Sequence, residues 1–175
     1  MKMFKCIVGI LTMVILLSSS FGISLAKERS NEIYLYQDGD HNKAYFEQFG
    51  SNHFSYIDQQ GDYNNATAQI LGEKNNTTIQ TQYGDDNEAE ALIESGMGNT
   101  IIQLQIGYDN KAFATISGSN SAIEQFQLGR NNRSNATIEG DRSTIVHFQL
   151  GDGLEDNPHL VGNGQDLVVI QMPWF

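Results

Sequence analysis

Glycine recurs along this chain at positions 39, 50, 61, 72, 84, 96, 107, 118, 129, 140 and 151, at gaps of eleven or twelve residues. A strict short period restricts a chain to stacked repeats, because each unit is too small to bury its apolar face except against its neighbouring copies. Two gaps make one unit. The frames are 31–52, 53–75, 76–98, 99–120, 121–142 and 143–164, with a closing half-repeat and C-terminal cap at 165–175.

The columns carry as much information as the period. Two residues before each leading glycine stand Gln37, Gln59, Gln82, Gln105, Gln127 and Gln149, with Gln171 in the closing half. Three residues after it stand Asn42, Asn64, Asn87, Asn110 and Asn132, then Ala44, Ala66, Ala89, Ala112 and Ser134 two further on. A helical period of 3.6 cannot maintain such columns, whereas the alternation inside each half fits a strand with one buried face. The expected fold is all-β: a solenoid of about six strand-turn-strand repeats, stacked at ~4.8 Å into two parallel sheets face to face.

The turn glycines Gly39, Gly61, Gly84, Gly107, Gly129 and Gly151 and the asparagines that follow them are expected to supply the positive φ of a tight reversal. Alternate positions such as Ile33, Leu35 and Gln37, or Ala112, Ala114 and Ile116, should face inward. A buried glutamine or asparagine is costly unless hydrogen-bonded, but in an aligned column each amide can donate to one neighbour and accept from the other. The six glutamines and five asparagines of these columns are therefore the expected ladder core.

Residues 1–26 read as an export signal: Lys2 and Lys5, an apolar run from 7 to 17, then the small-x-small site Ser24-Leu25-Ala26. Removal would leave a short segment at 27–30, no cysteine, and eight basic against 21 acidic residues, a net charge of −13. That charge argues against nucleic acid as a partner. No Gly-x-Ser-x-Gly, metal triad or phosphate loop occurs, so neither catalysis nor a cofactor or metal is expected.

A solenoid's end rungs offer unpaired backbone groups, and nothing in 27–30 blunts the first strand. Asp156 and Pro158 disturb the sixth repeat, and Pro173 stands where the next glycine would fall. Outward positions become apolar along the chain, and Leu104, Ile106, Phe126, Leu128, Phe148 and Leu150 form a candidate docking stripe. Asp40, Asp62 and Asp85 align as a like-charged turn column able to slow premature stacking. Glu88 is placed to pair with Lys111 on the next rung. His53 and His147 fall in inward columns, and His41 and His159 in turns.

The pattern Q-x-G-x-x-N-x-A-x-x-x-Q occurs intact at Gln37, Gly39, Asn42, Ala44 and Gln48, and its first half recurs in four more repeats. It resembles curlin, the repeat of bacterial curli subunits, over 31–150, and more loosely beyond. Ile70, Ile93, Ile116 and Ile138 depart from the second glutamine of the pattern, and family members carry a longer segment before the first repeat. The resemblance implies a secreted amyloid-fibre subunit, major or nucleating, passing the periplasm and an outer-membrane secretion machinery. It would polymerise with itself and other curlin-type subunits into a cell-surface fibre for adhesion and biofilm. The alternative from another class is a monomeric solenoid that binds a polysaccharide or ice through a flat face.

Overall fold

The computed structural model describes residues 31–173. The export signal read at 1–26, the segment 27–30 and the last two residues of the closing piece lie outside the described residues. No helix occurs among the described residues. The elements in chain order are β1 (Glu32–Asp38), β2 (Lys43–Gln48), β3 (Phe54–Gln60), β4 (Asn65–Ile70), β5 (Thr77–Tyr83), β6 (Glu88–Ile93) and β7 (Thr100–Tyr108). They continue as β8 (Lys111–Ser117), β9 (Ala122–Arg130), β10 (Arg133–Glu139), β11 (Thr144–Leu150), β12 (Glu155–Asp156), β13 (His159–Val161) and β14 (Asp166–Gln171).

These form the expected solenoid. The first sheet runs β1-β3-β5-β7-β9-β11-β14. The second runs β2-β4-β6-β8-β10 and ends in β12 and β13, which share β10 as partner. Every pairing is parallel, and residues pair with their counterparts one frame on, such as Gln37 with Gln59 and Ala112 with Ser134. The two longer frames, 53–75 and 76–98, take up their extra residue in the second turn. There Ser51, Lys74 and Met97 still align as single bridges.

Alternation fixes which columns are inside. In the inner layers the columns headed by Ile33, Leu35 and Gln37 are buried, as are those headed by Ala44, Phe46 and Gln48, while in the last layer only Pro158 is buried and the other members are half-buried. The main apolar cluster joins Ile70, Ile93, Ile116 and Ile138 of the second sheet to Ile101, Ile123 and Ile145 of the first. Isoleucine at the second-half position thus supplies a dry seam beside the amides. A smaller cluster of Ile57, Ala66 and Ala68 lies near the N-terminal end, with Ala44 and Phe46 against it.

The turns correct one expectation. The glycines do take positive φ, Gly39 at 108° and Gly107 at 125°. At Gly107 an added Cβ would also overlap the carbonyl oxygen of Gly129 on the next layer. The asparagines of the ladder column do not share that conformation. The residue just before each one does: His41, Tyr63, Asp86, Asp109 and Asn131, with φ between 51° and 60°. The asparagine is needed for its side chain, not for left-handed backbone. His159 is the second correction, since it opens β13 opposite Thr137 instead of sitting in a turn.

Candidate functional site

The glutamine column forms an unbroken chain of amide hydrogen bonds. Nε2 of Gln37 donates to Oε1 of Gln59, and the same step repeats to Gln82, Gln105, Gln127, Gln149 and Gln171, at 2.6–2.9 Å. Each amide nitrogen has a second hydrogen, and it crosses to the opposite sheet. Gln59 donates to the Lys43 carbonyl, Gln82 to Asn65, Gln105 to Glu88, Gln127 to Lys111 and Gln149 to Arg133, at 2.8–3.0 Å. One side chain therefore fixes the register between layers and the separation of the sheets.

The asparagine column performs the same work in the turn. Asn42, Asn64, Asn87, Asn110 and Asn132 donate from Nδ2 to Gly61, Gly84, Gly107, Gly129 and Gly151 of the following layer. Their Oδ1 atoms accept from the next layer's backbone N–H, as Asn42 does from Asn64. The close glycine approach and the buried amide are two halves of one contact.

A second, shorter amide row was not singled out from the sequence. Gln80 donates to Gln103 and Gln103 to Gln125, both at 2.9 Å. The row is bounded by Ile57 and His147, and Oε1 of Gln80 is buried without a donor because isoleucine offers none. The signal was available, since these residues share a column two places before the main one.

His147 closes that row among polar neighbours. Its Nδ1 lies 2.5 Å from Oγ of Ser134, which itself accepts from Gln125 at 2.7 Å. On the other side of the ring, Nε2 lies 3.9 Å from the Asp156 carboxylate. Serine, histidine and aspartate stand here in the order of a hydrolytic triad. Both Ser134 and His147 are about 1% exposed, however, so the arrangement meets no substrate and serves the core.

His53 occupies the column of Asn31, Asn76 and Asn99 and imitates them. Its Nδ1 accepts from the Asn76 backbone N–H at 3.2 Å, and Nε2 donates to the Phe49 carbonyl at 2.7 Å. Burial lowers the pKa of both histidines. For His53 it outweighs the backbone carbonyls of Phe49 and Gly72, and for His147 the Asp156 charge and Gln171.

The turn aspartates have a bonding role that their type alone did not reveal. Oδ1 of Asp62 accepts from the Asp40 backbone N–H at 2.7 Å, and Asp85 does the same for Asp62 at 2.8 Å. Asp141 and Asp152 repeat the contact with Ser119 and Arg130. Glu88 and Lys111 pair at 3.3 Å on the surface, as their spacing predicts, a contact worth at most ~1 kcal/mol.

On the outer face of the first sheet, Leu104, Phe126 and Phe148 are only 6%, 2% and 9% exposed. Ile102 and Val146 cover them on one side, Ile106 and Leu150 on the other, and the two phenyl rings stack at 4.7 Å. The stripe is a second, self-packed apolar layer whose half-buried rim, including Leu128, meets solvent. Glu124 stands within it between Ile102 and Val146, and burial raises its pKa. Towards the N-terminal end the central column becomes polar. Asp58 there accepts from Tyr83 and Tyr56 at 3.2 and 3.4 Å, and burial, then the Asp58 charge, raises both tyrosine pKa values.

The ends differ. Every residue of β1 is exposed, and its inward Ile33 and Leu35 are each about 50% exposed. At the other end β12 and β13 are interrupted at Asn157 and Pro158, while β14 is a regular six-residue strand.

Amide ladders along an axis, glycine-asparagine turns that lock each layer on the next, and a parallel edge that has no partner strand among the described residues define a ladder-cored β-solenoid repeat protein. Residues 29–61 match the family model described as the curlin associated repeat. The match covers the first layer and the start of the second, and later frames stack on the matched segment column by column. No curated protein matches the chain.

Proposed function

We propose that the mature chain is a structural subunit of an extracellular curli-like amyloid fibre, exported through the periplasm and the outer membrane. It polymerises with itself and other curlin-type subunits by templated strand addition, for adhesion and biofilm matrix. The observation that carries this reading is the N-terminal edge. There β1, paired on one side only among the described residues, presents backbone together with the half-exposed ends of inward columns that are buried in every inner layer. A regular edge of this kind is a template for one more layer, and the ladders reward only a layer that arrives in register.

The test is dilution of purified residues 27–175 from denaturant at micromolar concentration, followed by thioflavin T fluorescence and electron microscopy. Fibres whose fragments abolish the lag phase are expected. A soluble monomer with β circular dichroism that ignores added seeds would overturn the reading in favour of a monomeric binding module.

A further inference from the structure

Among the described residues the two sheets end unequally: the first has seven strands, β1 to β14, while the second has six layers, the last being the broken pair β12 and β13. Identical copies therefore cannot stack flush in both sheets. If β1 of an incoming copy pairs with β14, the second sheet lacks one strand at the junction. If β2 of that copy instead pairs with β12 and β13, then β1 and β14 claim the same layer, and one of them must leave.

The side chains choose between these registers. With β1 on β14, inward Ile33 meets Leu167 and Leu35 meets Val169, while outward Tyr34 meets Val168 and Tyr36 meets Ile170. Gln37 meets Gln171, which continues the amide chain with its own polarity. Among the described residues no donor reaches Oε1 of Gln37, and Gln171 accepts from Gln149 as the last donor-side amide of the column. The only like-charged meeting is Glu32 over Asp166, at outward positions that salt screens. The flush register would set β3 on β14. It would press Ile170 on the Asp58 carboxylate and Leu167 on Ser55, and would seat Phe46 on Pro158.

We propose that copies of this chain join through the first sheet alone, β1 on β14. Each junction then leaves a notch one strand wide in the second sheet, and subunits repeat every seven strand spacings. This rests on the polymerisation reading above and adds its geometry. Phe46 and Leu160 face the notch from its two sides. Phe46 is the one bulky residue in a column that otherwise reads Ala68, Ala91, Ala114, Ala136 and Pro158.

Cryo-electron microscopy of fibres grown from the mature chain measures the axial repeat. Seven spacings give about 34 Å, and six give about 29 Å. The shorter repeat would overturn the junction while leaving polymerisation intact, whereas absence of fibres would overturn both. A second test uses exposed outward positions that leave the interior untouched. Val168→Glu, beside Asp166, should slow seeded elongation about fivefold, the scale of a like-charge or lost cross-strand pair. Adding Tyr34→Lys should restore the rate, because these positions meet across the junction. In the flush register Val168 would meet Tyr56, so failure of the second change to rescue would also overturn the proposal.

Discussion

Gln105 donates one amide hydrogen to Gln127 at 2.9 Å and the other to the Glu88 carbonyl of the opposite sheet at 2.8 Å. It also accepts from Gln82. The residue is fully buried, so no water replaces what it loses. Gln105→Leu keeps much of the volume but strands a donor on Gln82 and acceptors on Gln127 and Glu88. A loss of about 2–4 kcal/mol follows from the cost of unsatisfied buried polar groups. Urea denaturation of the soluble chain before assembly measures it, and a loss below ~0.5 kcal/mol would contradict the ladder's role.

The outer apolar layer makes a different prediction from a simple sticky stripe. Phe126 is 2% exposed and stacks on Phe148, so Phe126→Ala should destabilise the soluble chain by roughly 2–4 kcal/mol, near the range for core phenylalanines. Changing the rim residues Ile106, Leu128 and Leu150 to Ser should cost far less stability. If the stripe docks other filaments, the rim changes should abolish bundling and leave single filaments, which electron microscopy would show. Unchanged bundling would remove the docking role.

Glu124 is neutral more readily in the folded chain than in the unfolded one, because burial raises its pKa above 4.5. The folded state therefore binds the extra proton, and this stabilising contribution is complete below pH 4.5 and lost as pH rises through the folded value. Glu124→Gln should leave the protein more stable at pH 7 and flatten the decline above pH 4.5. Denaturation at pH 4 and pH 7 distinguishes this from a variant that changes stability equally at both.

The buried histidines act with the opposite sign. Burial depresses both pKa values below 6.5, so their contribution is present above pH 6.5 and lost as pH falls through the folded values. His53→Asn and His147→Gln restore the residue types of their own columns. The double variant should keep at pH 5 the stability that the parent shows only near pH 7.5. Equal acid sensitivity in both proteins would place the titrating groups elsewhere.

Strands, layer count, inward columns and main ladder were legible in the sequence because a solenoid writes each axial neighbour into a fixed offset. Gln82 lies over Gln105 for the same reason that the sequence repeats. What lies across the gap between sheets is not written in any offset. For that reason the second hydrogen of each glutamine, and the contact of His147 with Ser134, emerged only from the structure. The turn asparagines were expected to serve both the ladder and the left-handed backbone, and only the second part failed, because the positive φ falls on the residue before each one. Alternation puts Leu104, Phe126 and Phe148 on the outer face, but their near-complete burial depends on neighbouring columns leaning over them, which alternation alone cannot convey.

All six amide bonds of the column from Gln37 to Gln171 point the same way, hydrogen towards the C-terminal end and oxygen towards the N-terminal end. Backbone dipoles in a sheet largely cancel, but these do not. They add along the axis and polarise one another. The glutamine column is therefore directional in itself, with its amide hydrogens facing the β14 end and its oxygens facing the β1 end. A row of copies joined with that sense kept would carry one continuous column of aligned amides, so that a filament's two tips would differ in kind, one offering an amide oxygen and the other an amide hydrogen.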